Sequence, residues 1–165
     1  MGQAISRRQF LRGDIANLRS AIRPPWFQTE ARFLAHCNQC GECLTACESG
    51  ILEPDAGGYP QVNFQKGECS FCAACVRACP TGALAQQPGK TPWSVHATIN
   101  TESCLASRGV LCMVCADHCA SRAIRFARAA YAIATPILDQ AACTGCGACV
   151  ASCPVNAIRM LTEAN

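Results

Sequence analysis

Leu11, Ile15, Leu18 and Ile22 fall on one stripe at helical spacing, with Arg7, Arg8, Arg12, Arg19 and Arg23 on the other faces. This pattern predicts a short amphipathic helix near the N-terminus, packed on the body or on a partner. Beyond it the pattern breaks into strand-like pieces at 59–64, 94–99, 123–127, 130–133 and 157–161, with a tight turn at Gly57-Gly58. The most apolar stretch, 127–138, is interrupted by Arg128 and Pro136. It falls short of the roughly 20 residues of a spanning helix, so no transmembrane segment is expected.

Composition changes the picture of what holds these short elements. Cysteine occurs sixteen times in 165 residues, and without it the 50% apolar fraction falls to about 40%, low for a domain held by apolar packing alone. The cysteines form four groups of four: Cys37, Cys40, Cys43, Cys47; Cys69, Cys72, Cys75, Cys79; Cys104, Cys112, Cys115, Cys119; and Cys143, Cys146, Cys149, Cys153. Groups one, two and four read C-x2-C-x2-C-x3-C, and groups two and four run on into Pro80 and Pro154. This is the bacterial iron–sulfur run, in which three thiolates wrap one cubane and the fourth reaches a neighbouring one. Disulfides fit poorly because closely repeated C-x2-C units have unsuitable geometry. Structural zinc usually takes paired C-x2-C units instead.

Small residues between the cysteines, Ala73-Ala74, Thr144-Gly145 and Gly147-Ala148, let backbone N–H groups approach cluster sulfurs. The third group differs, with seven residues between Cys104 and Cys112 and Ala120 in place of the proline. Two readings stay open: a fourth cluster whose first ligand arrives on a longer loop, or a free cysteine beside a three-thiol remnant. Crosswise sharing would join Cys37, Cys40, Cys43 with Cys79, and Cys69, Cys72, Cys75 with Cys47. The second pair would be Cys104, Cys112, Cys115 with Cys153, and Cys143, Cys146, Cys149 with Cys119.

A short helix is expected to follow each third cysteine, and the linker-like run Pro88 to Pro92 separates groups two and three. The expected fold is therefore α+β: tandem bacterial two-cluster ferredoxin-like units at 31–88 and 93–165, with a basic arm containing a short N-terminal helix at 1–30. All sixteen cysteines are candidate ligands, for four [4Fe-4S] clusters in all. His36, His96 and His118 are expected beside the sites or at the surface, since each site already has four thiols. The formal charge of +3 would become about −5 once four clusters, each about −2 with its thiolates, are bound. A basic arm on an acidic body suggests a docking element.

No flavin or dinucleotide glycine fingerprint, no HExxH and no paired-acid constellation is present, so no enzyme active site is expected. Nothing directs the chain to nucleic acid. Ser6-Arg7-Arg8-Gln9-Phe10-Leu11-Arg12 has the form of a twin-arginine export address, but Asp14 and Arg19 interrupt the apolar stretch such a signal needs. A cytoplasmic location is expected.

Ser6-Arg7-Arg8, Ile22-Arg23-Pro24-Pro25-Trp26, Gly57-Gly58-Tyr59-Pro60, Glu68-Cys69-Ser70-Phe71-Cys72, the C-x7-C-x2-C-x3-C group at 104–119 and Cys143-Thr144-Gly145-Cys146-Gly147-Ala148-Cys149 together resemble the NapF family. These are ferredoxin-type proteins of bacterial periplasmic nitrate reductase systems. The resemblance runs nearly end to end. It implies a cytoplasmic iron–sulfur protein that binds the precursor of the molybdenum-containing catalytic subunit and helps insert or reduce its cofactor before export. A general electron-transfer polyferredoxin serving a reductase is the alternative, and a chaperone whose clusters only hold the fold is a third.

Overall fold

Cysteine-rich loops leave room for only short regular elements, and the computed structural model describes them over residues 21–127 and 133–162. The first helix among the described residues, α1 (Glu30–His36), is capped by Thr29, whose side chain accepts a hydrogen bond from Arg32 N at 3.2 Å. It buries Phe33, whose ring packs against Phe27 and Tyr59 at centroid distances of 6.3 and 6.2 Å. Four single-turn helices follow: α2 (Glu42–Thr45), α3 (Ala74–Arg77), α4 (Val114–Asp117) and α5 (Ala148–Ala151). Each begins one residue before the third cysteine of its group rather than after it. The third thiol therefore stands on the helix, and the fourth lies just past its end.

Among the described residues the strands pair antiparallel in three two-stranded sheets. β1 (Leu52–Pro54) pairs with β2 (Pro60–Val62) between groups one and two, and β4 (Ile124–Phe126) with β5 (Pro136–Leu138) between groups three and four. The third sheet joins β3 (Val95–Ile99) to β6 (Ile158–Thr162), in register from Val95↔Thr162 to Ile99↔Ile158. The expected pieces at 59–64, 94–99, 123–127 and 157–161 hold β2, β3, β4 and β6. The piece at 130–133 lies mostly outside the described residues, and Ile133 is not in a strand. The strand on that side starts at Pro136, a position open to proline because a two-stranded ladder has free edges.

Of the predicted N-terminal stripe, Leu11, Ile15 and Leu18 lie outside the described residues. Ile22 does not: its carbonyl accepts a hydrogen bond from Val62 N at 2.8 Å. Arg23, expected among the exposed arginines of a basic arm, is instead 7% exposed. Its guanidinium meets Glu30 at 2.7 Å and Asp55 at 2.8 Å, and donates to the Pro60 carbonyl. It also lies over the Phe33 and Tyr59 rings. Burial alone would raise the Asp55 carboxyl, but Arg23 and the N–H groups of Tyr59 and Gly57 outweigh it and hold it below the usual carboxylate range.

One apolar cluster runs through both halves, including Trp26, Phe33, Ile51, Phe64 and Leu84 on one side and Trp93, Val95 and Val150 on the other. Cys43, Cys75 and Cys149 belong to it, so the third thiols of groups one, two and four are core residues, while Cys115 is half-buried against it. The Pro88–Pro92 run makes a turn and returns, its Pro92 carbonyl accepting from Trp26 N at 2.6 Å. Among the described residues no helix is long and apolar enough to cross a membrane.

Candidate iron–sulfur centres

Groups one, two and four wrap their loops by the same backbone device. Gln39 and Gly41, Phe71 and Ala73, and Gly145 and Gly147 all have positive φ, between 55° and 85°. These are the residue before the second cysteine and the one after it, in groups one, two and four. Alternating left-handed residues turn the loop inward and point successive N–H groups at one centre. Glycine takes this conformation freely, while Gln39, Phe71 and Ala73 take it at a cost of about 1 kcal/mol each. Sequence reasoning missed Gln39 and Phe71, and took Ala73 only as a small residue that lets the backbone approach, not as a left-handed one.

The thiols meet crosswise. Cys37, Cys40 and Cys43 line one cavity with Cys79 (site one), and Cys69, Cys72 and Cys75 line a second with Cys47 (site two). Cys104, Cys112 and Cys115 line a third with Cys153 (site three), and Cys143, Cys146 and Cys149 a fourth with Cys119 (site four). All sixteen predicted residues are thereby brought to four sites in the exchanged pairing. Packing of α2 on α3 and of α4 on α5 produces the exchange, since it carries each fourth cysteine to its neighbour's loop.

Group three reaches the same result by another loop. Met113, after the second cysteine, has φ −131° rather than a left-handed value. The seven residues between Cys104 and Cys112 instead fold back on themselves, with Arg108 N bonded to Cys104 O at 3.1 Å and Val110 N to Leu105 O at 2.9 Å. Gly109 supplies the left-handed turn at φ +81°, and Ala106 is buried beneath. Cys104 is thus placed with Cys112, Cys115 and Cys153 rather than apart from them.

Burial and crowding set the electrostatics of the thiols. Burial first, then the charges of neighbouring thiolates, push Cys43, Cys69 and Cys115 up to about 11, and Cys75 and Cys149 to about 12. Such sites are unfavourable for bare thiolates and become favourable when a cation core compensates them. The fourth cysteines differ. Burial would raise Cys79, but the N–H of Leu84 and the Thr81 hydroxyl outweigh it, with the Thr81 and Ala83 N–H groups adding to them. Cys119 is likewise held below the usual thiol value, by Ser121 and the N–H groups of Ile124, Ala123 and Arg122. At site three, Ala157 N donates to Cys153 Sγ at 3.2 Å. N–H groups aimed at sulfur stabilise thiolate charge and tune a cluster's potential.

Among the described residues no three His, Cys, Asp or Glu side chains close on a single ion position. The thiols surround cavities instead, which suits a polynuclear core. His36 is exposed and its Nδ1 lies 2.9 Å from Arg32 O, whereas His118 lines the site-four cavity beside Cys119. His96 stands on β3.

Residues 36–83 match the 4Fe-4S dicluster domain family, and residues 136–159 the 4Fe-4S binding domain family. The chain is 46% identical over 153 residues to the ferredoxin-type protein NapF of Escherichia coli strain K12, covering 93% of this chain and 92% of that protein. Identity to the ferredoxin-type protein NapF of Haemophilus influenzae is 44% over 166 residues, covering 94% and 93%. The methylamine utilization ferredoxin-type protein MauM of Methylophilus methylotrophus is 33% identical, over 88% of this chain and 73% of its own length. The matched domains and the sixteen cysteines make this an iron–sulfur protein carrying multiple [4Fe-4S] clusters.

Proposed function

The chain belongs to the NapF family of ferredoxin-type proteins, and from that premise we propose that it acts in the cytoplasm on the precursor of a molybdenum-containing periplasmic nitrate reductase subunit, assisting insertion or reduction of its cofactor before export. The observation that carries this reading is the near end-to-end identity with NapF proteins, which spans the 104–119 group as well as the matched cluster domains. All sixteen cysteines serve as ligands in the crosswise sets, giving four clusters. Their chemistry when bound is the storage and release of single electrons. The chain's own residues hold the clusters, shield Cys43, Cys75 and Cys149 in the core and direct N–H groups at Cys79, Cys119 and Cys153. It has no catalytic residues of its own; any reaction is completed on the partner.

Affinity capture of the tagged, anaerobically purified chain should recover the reductase precursor with its export signal intact. Recovery of only the mature subunit, or of none, would overturn the reading. The similarity to MauM, a protein named for methylamine utilization, favours a second reading as a general electron-transfer polyferredoxin. That reading predicts electron delivery to the mature reductase and normal cofactor content in a strain lacking the chain.

A further inference from the structure

The cavities account for the pairing within each half, but not for what happens where the halves meet. There, Cys69 N donates to Cys146 O at 2.8 Å, a backbone hydrogen bond directly between the loop of group two and the loop of group four. The Phe64 and Phe71 rings stand edge-on to Trp93 at 5.7 and 5.9 Å. Trp93 Nε1 in turn donates to Thr144 O at 3.3 Å, so the aromatic group is fastened to the fourth loop as well as to the second. The fit leaves no slack. A Cβ on Gly145 would meet Val95 O and would stand 2.7 Å from Trp93 Nε1, and one on Gly147 would run into the Phe64 ring.

We propose that Phe64, Phe71, Trp93 and the Cys69–Cys146 hydrogen bond are positioning elements that hold sites two and four as an adjacent pair, joining the halves so that the four sites stand in the order one, two, four, three. Sites one and three are then the outer positions. This inference rests on the four-site reading above, and an iron count reports on that reading separately.

The test isolates the inner and the outer sites. A Cys40→Ala/Cys112→Ala chain should retain about eight irons, at sites two and four, and a Cys72→Ala/Cys143→Ala chain about eight, at sites one and three. After dithionite reduction, low-temperature electron paramagnetic resonance of the first should show a split, fast-relaxing spectrum from interacting spins, and the second a pair of isolated signals. Adding Trp93→Ala to the first should collapse the splitting while iron content stays unchanged, a result that a role in stability alone would not produce. Isolated signals in both chains, or a splitting indifferent to Trp93→Ala, would overturn the proposal. If the first chain holds fewer irons, the comparison moves to the wild type against Trp93→Ala at equal iron content. Relaxation of the reduced signals should slow in the variant, and unchanged relaxation counts against the proposal. A wild type short of about sixteen irons would instead overturn the four-site reading.

Discussion

The two halves hold similar pairs of cysteine groups but close around them differently. In the second half, β3 and β6 pair over five positions, binding the start of the half to its end. In the first half the corresponding closure is a single bridge, Phe27↔Leu84, with Ala85 N bonded to Trp26 O at 3.1 Å. The remaining stability there comes from side chains: Arg23 against Glu30 and Asp55, and Phe33 under its ring neighbours. A backbone ladder distributes its stability over many groups, whereas the first half concentrates it in one guanidinium. Loss of a single side chain should therefore be felt more in the first half than in the second.

Removal of the clusters should have the largest effect. The core is built around thiols, and metal affinity becomes folding free energy in such domains. Circular dichroism after chelation should show loss of the cooperative thermal transition, and hydrogen exchange should show the last protection at the β3–β6 ladder. Equal protection in both halves would erase the contrast.

Next in size is Cys104→Ser, which should remove about four irons, at site three alone, and leave the first half intact. An unchanged iron count would remove Cys104 from the ligands.

Arg23→Ala should cost about 2–4 kcal/mol, because it leaves Asp55 without its cation and removes the stack over Phe33 and Tyr59. Denaturant melts of the loaded protein check this, with early loss of the signals of sites one and two as the expected order.

The glycines sharpen the comparison position by position. Gly41 and Gly147 occupy the same place in groups one and four, both left-handed. A Cβ on Gly41 meets nothing, so Gly41→Ala should cost only the conformational penalty of about 1 kcal/mol. Gly147→Ala must also displace Phe64 and should cost about 2–4 kcal/mol in all.

The smallest effect is on pH. In the empty protein, whose fold is lost, the thiols return to the ordinary range of about 8.5 and are mostly protonated near neutrality, yet ligation needs the thiolate. Each must therefore release a proton to bind iron, so the rate of cluster reconstitution should rise between pH 7 and pH 9. A rate that is flat or falls over that range would show that deprotonation of these thiols does not limit loading.

The sequence displays the sites more clearly than the scaffold. Cysteine spacing is a covalent pattern, so the crosswise grouping of thiols that line the four cavities is legible in it, although the spacing alone left Cys104 open between two readings. β2, β3, β4 and β6 are legible because apolar runs mark them. β1 is not, since Leu52-Glu53-Pro54 is too short to show a period. Strand β5 is hidden by Pro136, and α1 by the stronger helical stripe that precedes it. Arg23 reads as solvated charge in sequence, and only the fold brings Glu30 and Asp55 to it across 7 and 32 residues. The left-handed Gln39, Phe71 and Ala73 are set by closure of the loops, against their own local preference.

Crosswise exchange of the fourth cysteine also has a consequence in time. A chain emerging during synthesis makes group one before Cys79 exists, so a nascent chain ended at residue 68 would hold no complete site. Site two becomes completable with Cys75 and site one with Cys79, and sites four and three follow with Cys149 and Cys153. Sites therefore complete in close succession, two at a time, and a ribosome paused between residues 48 and 74 would expose four reactive thiols of group one with no cluster to occupy them.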